Sequence, residues 1–158
     1  MQSKPILCLD FDGVCHSYTS GWIDEWTIPD PPVPGLFEFI KTAQQHFRVA
    51  IYSSRSEFAA GRDAMQDWFA EHARKHYLSL APDGTSEIDR TVVAQDLTLD
   101  LMSKLEFPAS KPAAFVTLDD RAVTFKGTWP EVTTLRGFVT WNDHLIKKAP
   151  RATTVRNG

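Results

Sequence analysis

The chain has little of several things that would fix a function class early. It carries only two cysteines, Cys8 and Cys15, in 158 residues, which is neither a disulfide framework nor zinc-ligand spacing. They are read as reduced thiols, and a cytoplasmic setting is predicted. No apolar run nears the ~18 residues of a membrane span. The first apolar run is broken by Asp10, too early for a signal-peptide core, so no membrane partner is expected. Positive charge is not in excess: 17 Lys and Arg stand against 20 Asp and Glu. That excludes a general electrostatic grip on DNA or RNA as the main business of the chain. Internal repeats and linker-like stretches are also missing, so residues 1–148 are read as one domain, ended by a flexible tail at 149–158. Self-association is left open.

What is present is an alternation of strand and helix patterns. Ile6 to Leu9 reads as a short strand buried on both faces. "CHSYTSGWIDEWTIPDPPVP", residues 15–34, has Gly21, four prolines, two tryptophans and one tyrosine, the mark of an ordered but irregular flap. Leu36, Phe39, Ile40, Ala43 and Phe47 then recur at helical spacing, after Pro34. Val49 to Ser53 predicts a second strand, and Glu57 to Tyr77 a second helix interrupted by an odd Gly61. Residues 78–110 are less legible, with a helix expected over Val92 to Leu105 and "EFPASKP" as a connector or short strand. "AAFVTL" is another apolar strand. A final strand near Thr133 to Leu135 or Phe138, and a short helix opened by Thr140 with Asp143 three residues on, complete the expected domain. Strand-helix-strand-helix order predicts an α/β fold: a three-layer, Rossmann-like parallel sheet with helices on both faces and no large cap domain.

Three of these strands end in polar groups: Asp10 and Asp12, then Ser53, Ser54 and Arg55, then Asp119 and Asp120. In open parallel sheets ligands bind outside the carboxyl ends of the strands. If the three strands are parallel neighbours, the groups converge. Four clustered carboxylates repel one another and call for a cation, and an all-oxygen ligand set points to Mg²⁺. Each piece has a plain structural alternative, since Asp-x-Asp-Gly can be a turn and Asp119-Asp120 or Ser53 a helix cap. Their common placement at strand ends favours a site.

"ILCLDFDGV", "YSSR" and "KPAAFVTLDD" resemble, in that order, the motifs of the haloacid-dehalogenase-like (HAD) hydrolase superfamily, over most of the span from Ile6 to Asp120. "YSSR" and "LDDRA" are also distantly similar to compact, capless members such as the phosphatase domain of polynucleotide kinase/phosphatase. The resemblance implies an Mg²⁺-dependent phosphomonoesterase. Asp10 would be the nucleophile that forms an aspartyl-phosphate, and Asp12 the acid/base. Mg²⁺ would be held by Asp10, the Asp12 carbonyl, and Asp119 or Asp120. Ser53, or less well Ser54, would bind a phosphoryl oxygen. Arg55 would suit a second phosphate or substrate oxygen, with a surface ion pair as its alternative.

Lys111 matches the basic residue expected before the last acidic strand. A five-residue strand spans roughly 17 Å, however, more than a lysine reaches, so Lys104 and Arg90 stand as alternatives. Expected partners are a phosphorylated small molecule, a nucleotide or a nucleic-acid end. His16, Tyr18, Trp22 and Trp26 are candidates to stack on a base or sugar, or to anchor their own loop. Two other readings compete: a catalytically silent binding protein on the same fold, and a receiver-like signalling domain. Against the receiver, "DFDG" comes first and "LDD" late.

Overall fold

The computed structural model describes residues 3–146. The tail expected at 149–158 lies outside the described residues. Four strands form one parallel sheet: β1 (Ile6–Leu9), β2 (Arg48–Ile51), β3 (Leu105–Glu106) and β4 (Val116–Leu118), in the order β3-β2-β1-β4. Helices α1 (Leu36–His46), α2 (Ala59–Ser79) and α3 (Glu87–Met102) fill the crossovers, and a short α4 (Val132–Arg136) follows β4. The protein is α/β with an all-parallel sheet. Among the described residues no helix is long and apolar enough to cross a membrane.

Register explains the core. Leu7 pairs with Val49 and Val116, and Leu9 with Ile51 and Leu118, so these side chains share one face of the sheet. Leu36, Phe37, Ile40 and Ala43 of α1, and Met65, Trp68, Phe69, Ala73 and Tyr77 of α2, close over that face together with Ala94 and Leu101 of α3. Phe37 meets Phe69 edge-on, and the Gln44 side chain donates to the Leu101 carbonyl, so the helices also bind one another. Cys8 and Ala50, on the opposite face, are buried as well. Both cysteines are unbridged.

Several boundaries differ from expectation. The second strand stops at Ile51, because Ser53 caps a 3₁₀ turn over Ser54–Glu57 that precedes α2. Gly61 has its reason here: a Cβ at that position would lie 2.3 Å from the Arg55 carbonyl oxygen, so only glycine lets the helix approach the turn. The third helix starts at Glu87 rather than Val92, since the Ser86 hydroxyl accepts the Asp89 N–H at 3.1 Å. It also ends earlier, which frees Leu105 and Glu106 to pair with β2.

The expected strand at Thr133 to Leu135 is the helix α4 instead. Its β-branched run suggested a strand, but Pro130 and Gly137 bound it too tightly to cross a sheet. The Thr134 N–H closes on the Glu131 carbonyl at 3.0 Å. The helix expected after Thr140 is a 3₁₀ turn at Asp143–Leu145 without a side-chain cap.

Candidate acidic site at the ends of β1 and β4

The chain runs outward from β1 through β2 to β3 and then returns to the other side of β1 as β4. The ends of β1 and β4 therefore form the switch point of the sheet, where ligands bind in open parallel folds. The Asp10 N–H donates to the Leu118 carbonyl at 2.9 Å, which fixes the end of β1 beside the end of β4. Asp119 and Asp120 follow at once. One carboxylate oxygen from each of Asp10, Asp119 and Asp120 lies within 4.8 Å of the others.

Burial pushes the Asp10 carboxyl up from 3.8 to about 7, against a hydrogen bond from the Phe11 N–H, and the charges of Asp119, Asp120 and Asp12 add to the rise. Asp120 is raised too, first by burial, with Arg121 opposing and Asp119 reinforcing. Both Asp120 oxygens are buried and, beyond the pull of the residue's own backbone N–H, find no hydrogen-bond partner among the described residues. Gly13 makes room for them: it adopts φ 91°, and a Cβ there would stand 2.4 Å from Asp120 Oδ2. A buried carboxylate without a donor is costly. Three converging hard oxygen donors fit a divalent cation of the Mg²⁺ class. Asp10, Asp119 and Asp120 are the residues that could hold it.

Asp12 is in a different situation. Its Oδ1 accepts from His16 Nδ1 and its Oδ2 from Arg55 Nε, both at 2.9 Å. His16 Nε2 accepts the Asp30 N–H at 3.1 Å, so the ring proton belongs on Nδ1 and points at Asp12. A carboxylate offers about four lone-pair sites, and the two donors leave sites for a proton in transit. His16 is fully buried, stacked on Phe11 and edge-on to Trp68. Phe11 lies inside this aromatic cluster, away from the acids.

Arg55 is also fully buried. Its Nη1 donates to the carbonyls of Asp24, Glu25 and Thr27, and its guanidinium lies 4.7 Å from the Trp22 ring centroid. It thus sits beneath the flap. Ser53 is buried at the end of β2, its hydroxyl accepting the Arg55 N–H, while Ser54 is exposed. Within the flap, His16 and Tyr18 are buried anchors, and Trp22 and Trp26 are about half exposed.

The three candidate cations are spread out. Lys104 pairs with Asp100 on the surface, and Arg90 donates to the Thr85 and Pro82 carbonyls. Lys111 is exposed and precedes Phe115, whose N–H meets the Ile6 carbonyl at the amino-terminal edge of the sheet. Its charge still reaches the Cys8 thiol, where it opposes the upward push of burial.

Three neighbours were not anticipated. The Arg121 N–H donates to Asp119 Oδ1 at 2.8 Å, and its guanidinium lies 5.7 Å from the Tyr18 ring centroid. The Trp141 indole N–H donates to the Gly13 carbonyl at 2.7 Å, and the buried Asn142 amide to the Ser17 carbonyl. Arg121 had a signal, a basic residue directly after the paired acids. Trp141 and Asn142 lie more than a hundred residues from their partners and had none.

No protein-family model matches the chain, and neither curated proteins nor solved structures give a match.

Proposed function

We propose that the protein is an Mg²⁺-dependent phosphomonoesterase of the HAD-like type, acting through an aspartyl-phosphate on Asp10. The observation that carries this reading is the pairing of two unlike carboxylates on one loop. Asp10 belongs to an acidic cluster with unsatisfied buried oxygens, and Asp12, two residues on, is oriented by two donors. The order β3-β2-β1-β4 supports a Rossmann-like, three-layer reading of the fold, as do Cys8 and Ala50, buried on the face away from the three helices.

In the first step an Asp10 oxygen attacks phosphorus while the ester oxygen leaves with a proton from Asp12. In the second, Asp12 takes a proton from the water that attacks the aspartyl-phosphate, and inorganic phosphate departs. Bound between Asp10, Asp119 and Asp120, with the Asp12 carbonyl as a further ligand, Mg²⁺ would neutralise charge on the transferring group. Ser53 binds a phosphoryl oxygen at the end of β2.

The half-exposed Trp22 and Trp26 of the flap support a nucleotide or nucleic-acid end as substrate. The unbridged thiols support a cytoplasmic setting. The test is phosphate release from 4-nitrophenyl phosphate, nucleotides, sugar phosphates and 3′- or 5′-phosphorylated oligonucleotides. Activity is expected with Mg²⁺, to vanish with EDTA, and to fall to background in Asp10→Asn. An active Asp10→Asn enzyme, or no turnover across the panel, overturns the reading.

A further inference from the structure

We propose that Arg55 is a positioning residue that makes closure of the flap and orientation of Asp12 a single event. The proposal rests on the phosphatase reading for its catalytic consequence, but not for the coupling itself.

The flap segment around Asp24 to Thr27 belongs to no helix or strand. Its carbonyls turn inward onto one buried nitrogen, Arg55 Nη1, at 2.7, 2.9 and 3.4 Å for Asp24, Glu25 and Thr27. Trp22 lies over the same guanidinium. Arg55 Nε holds Asp12 Oδ2, and His16, from the base of the flap, holds Oδ1. That base is closed by the Ser17 N–H on the Pro31 carbonyl and the Val33 N–H on the Cys15 carbonyl, both 2.9 Å. A planar guanidinium cannot tilt toward Asp12 without carrying its other nitrogens along. If the flap lifts, Arg55 loses the three carbonyls and the indole together, and Asp12 loses the support of its Oδ2.

Nη2 lies on the same guanidinium edge as Nε, the edge Arg48 uses in full to grip Glu106 through both nitrogens. In Arg55 that edge is half used: Nη2 is buried and has no acceptor among the described residues.

Two measurements test this. The first compares kcat for 4-nitrophenyl phosphate, whose leaving group needs little protonation, with kcat for an alkyl phosphate such as glycerol phosphate, in wild type and Arg55→Lys. Misplacing the acid is expected to lower kcat on the alkyl ester by about 10²-fold, within the usual worth of general acid catalysis. On the aryl ester the expected loss is less than about tenfold, with KM little changed. An equal loss on both esters, or a change confined to KM, overturns the positioning role.

The second is amide hydrogen exchange over residues 20–27 in Arg55→Lys and Asp12→Asn. Coupling is reciprocal, so both substitutions are expected to speed exchange there. A flap indifferent to Asp12→Asn overturns the coupling. This arm needs no turnover: if wild type hydrolyses no ester, the proposed function falls while exchange still decides the coupling. It also stands on Asp12→Asn alone if Arg55→Lys fails to fold.

Discussion

Asp12 and Asp120 flank the same glycine turn, and they differ in every respect that hydrogen bonding measures. Both oxygens of Asp12 accept, from His16 and from a fully buried arginine. Both oxygens of Asp120 are buried and find no partner in another of the described residues. The first residue belongs to the part of the chain that α1, α2 and the flap enclose. The second follows β4, whose Val116, Thr117 and Leu118 are exposed. On one side the protein supplies each partner, and on the other it leaves room for one of opposite charge. A site divided between a proton carrier and a cation requires such an asymmetry: the proton carrier must be aimed, and the cation's ligands must be left free to coordinate.

The sharpest way to break the comparison is to remove a charge on each side. Arg55→Met strands the Asp12 carboxylate in a buried setting, and a loss of about 3–5 kcal/mol is expected. Asp120→Asn relieves repulsion, so in EDTA it is expected to leave the protein as stable as wild type or more so. Urea unfolding in EDTA checks both. A destabilising Asp120→Asn would mean that Asp120 has a protein partner after all and that the two sides are alike.

On both sides the acids were legible in the sequence, and most of what surrounds them was not. Asp10 and Asp12 stand two apart after a four-residue apolar run, so strand periodicity alone puts them at a strand end. The helices α1 and α2 follow from the spacing of Leu36, Ile40 and Ala43, and of Met65, Trp68 and Phe69. What stayed hidden is what depends on long-range contact. Arg55 reads as a surface cation or a phosphate ligand, because nothing in "YSSR" says that three flap carbonyls will wrap around it. Gly13 reads as a turn, while its bare Cβ position matters for Asp120, more than a hundred residues away. The segment after β4 misled because β-branched residues without a strand partner fold onto themselves. In "VTTL" a single backbone turn between Pro130 and Gly137 wins over strand propensity.

Metal binding provides the next test, one of intermediate size. If Asp120 is a ligand, Mg²⁺ at a hundred times its dissociation constant should stabilise the fold by about 2.7 kcal/mol. Gly13→Ala should abolish that gain, since its methyl group would occupy the space of Asp120. Thermal melts with and without Mg²⁺ measure both. A Gly13→Ala protein that keeps the full Mg²⁺ shift would place the cation elsewhere.

A further test comes from pH. Asp10 holds its proton up to about 7 when folded, against 3.8 ordinarily. Between those values the folded protein keeps a proton that the unfolded chain has released. Its contribution to stability is present at low pH and lost as pH rises through 7. In EDTA, wild type should therefore lose stability relative to Asp10→Asn over that window, and Mg²⁺ should close the gap. Melts of the two proteins at matched pH decide it, and a gap that narrows with rising pH would show Asp10 paired rather than repelled.

The smallest effect, that of Trp129→Ser, belongs to a contrast between the tryptophans of the two regions. Trp68 is 5% exposed, donates to the Asp30 carbonyl and meets Phe11, His16 and Phe69 edge-on. Trp129 is 85% exposed, against Phe125 alone among aromatic rings. Both lie in the same chain and have the same transfer free energy, but only the first has much of it to lose. Trp68→Ala is expected to cost about 3–5 kcal/mol, and Trp129→Ser to stay within about 0.5 kcal/mol of wild type. Urea unfolding at low protein concentration measures both. If Trp129→Ser costs as much as Trp68→Ala, the segment after β4 is held in solution by contacts that the isolated chain does not make, and Asp119 and Asp120 sit on a support as firm as that of Asp10.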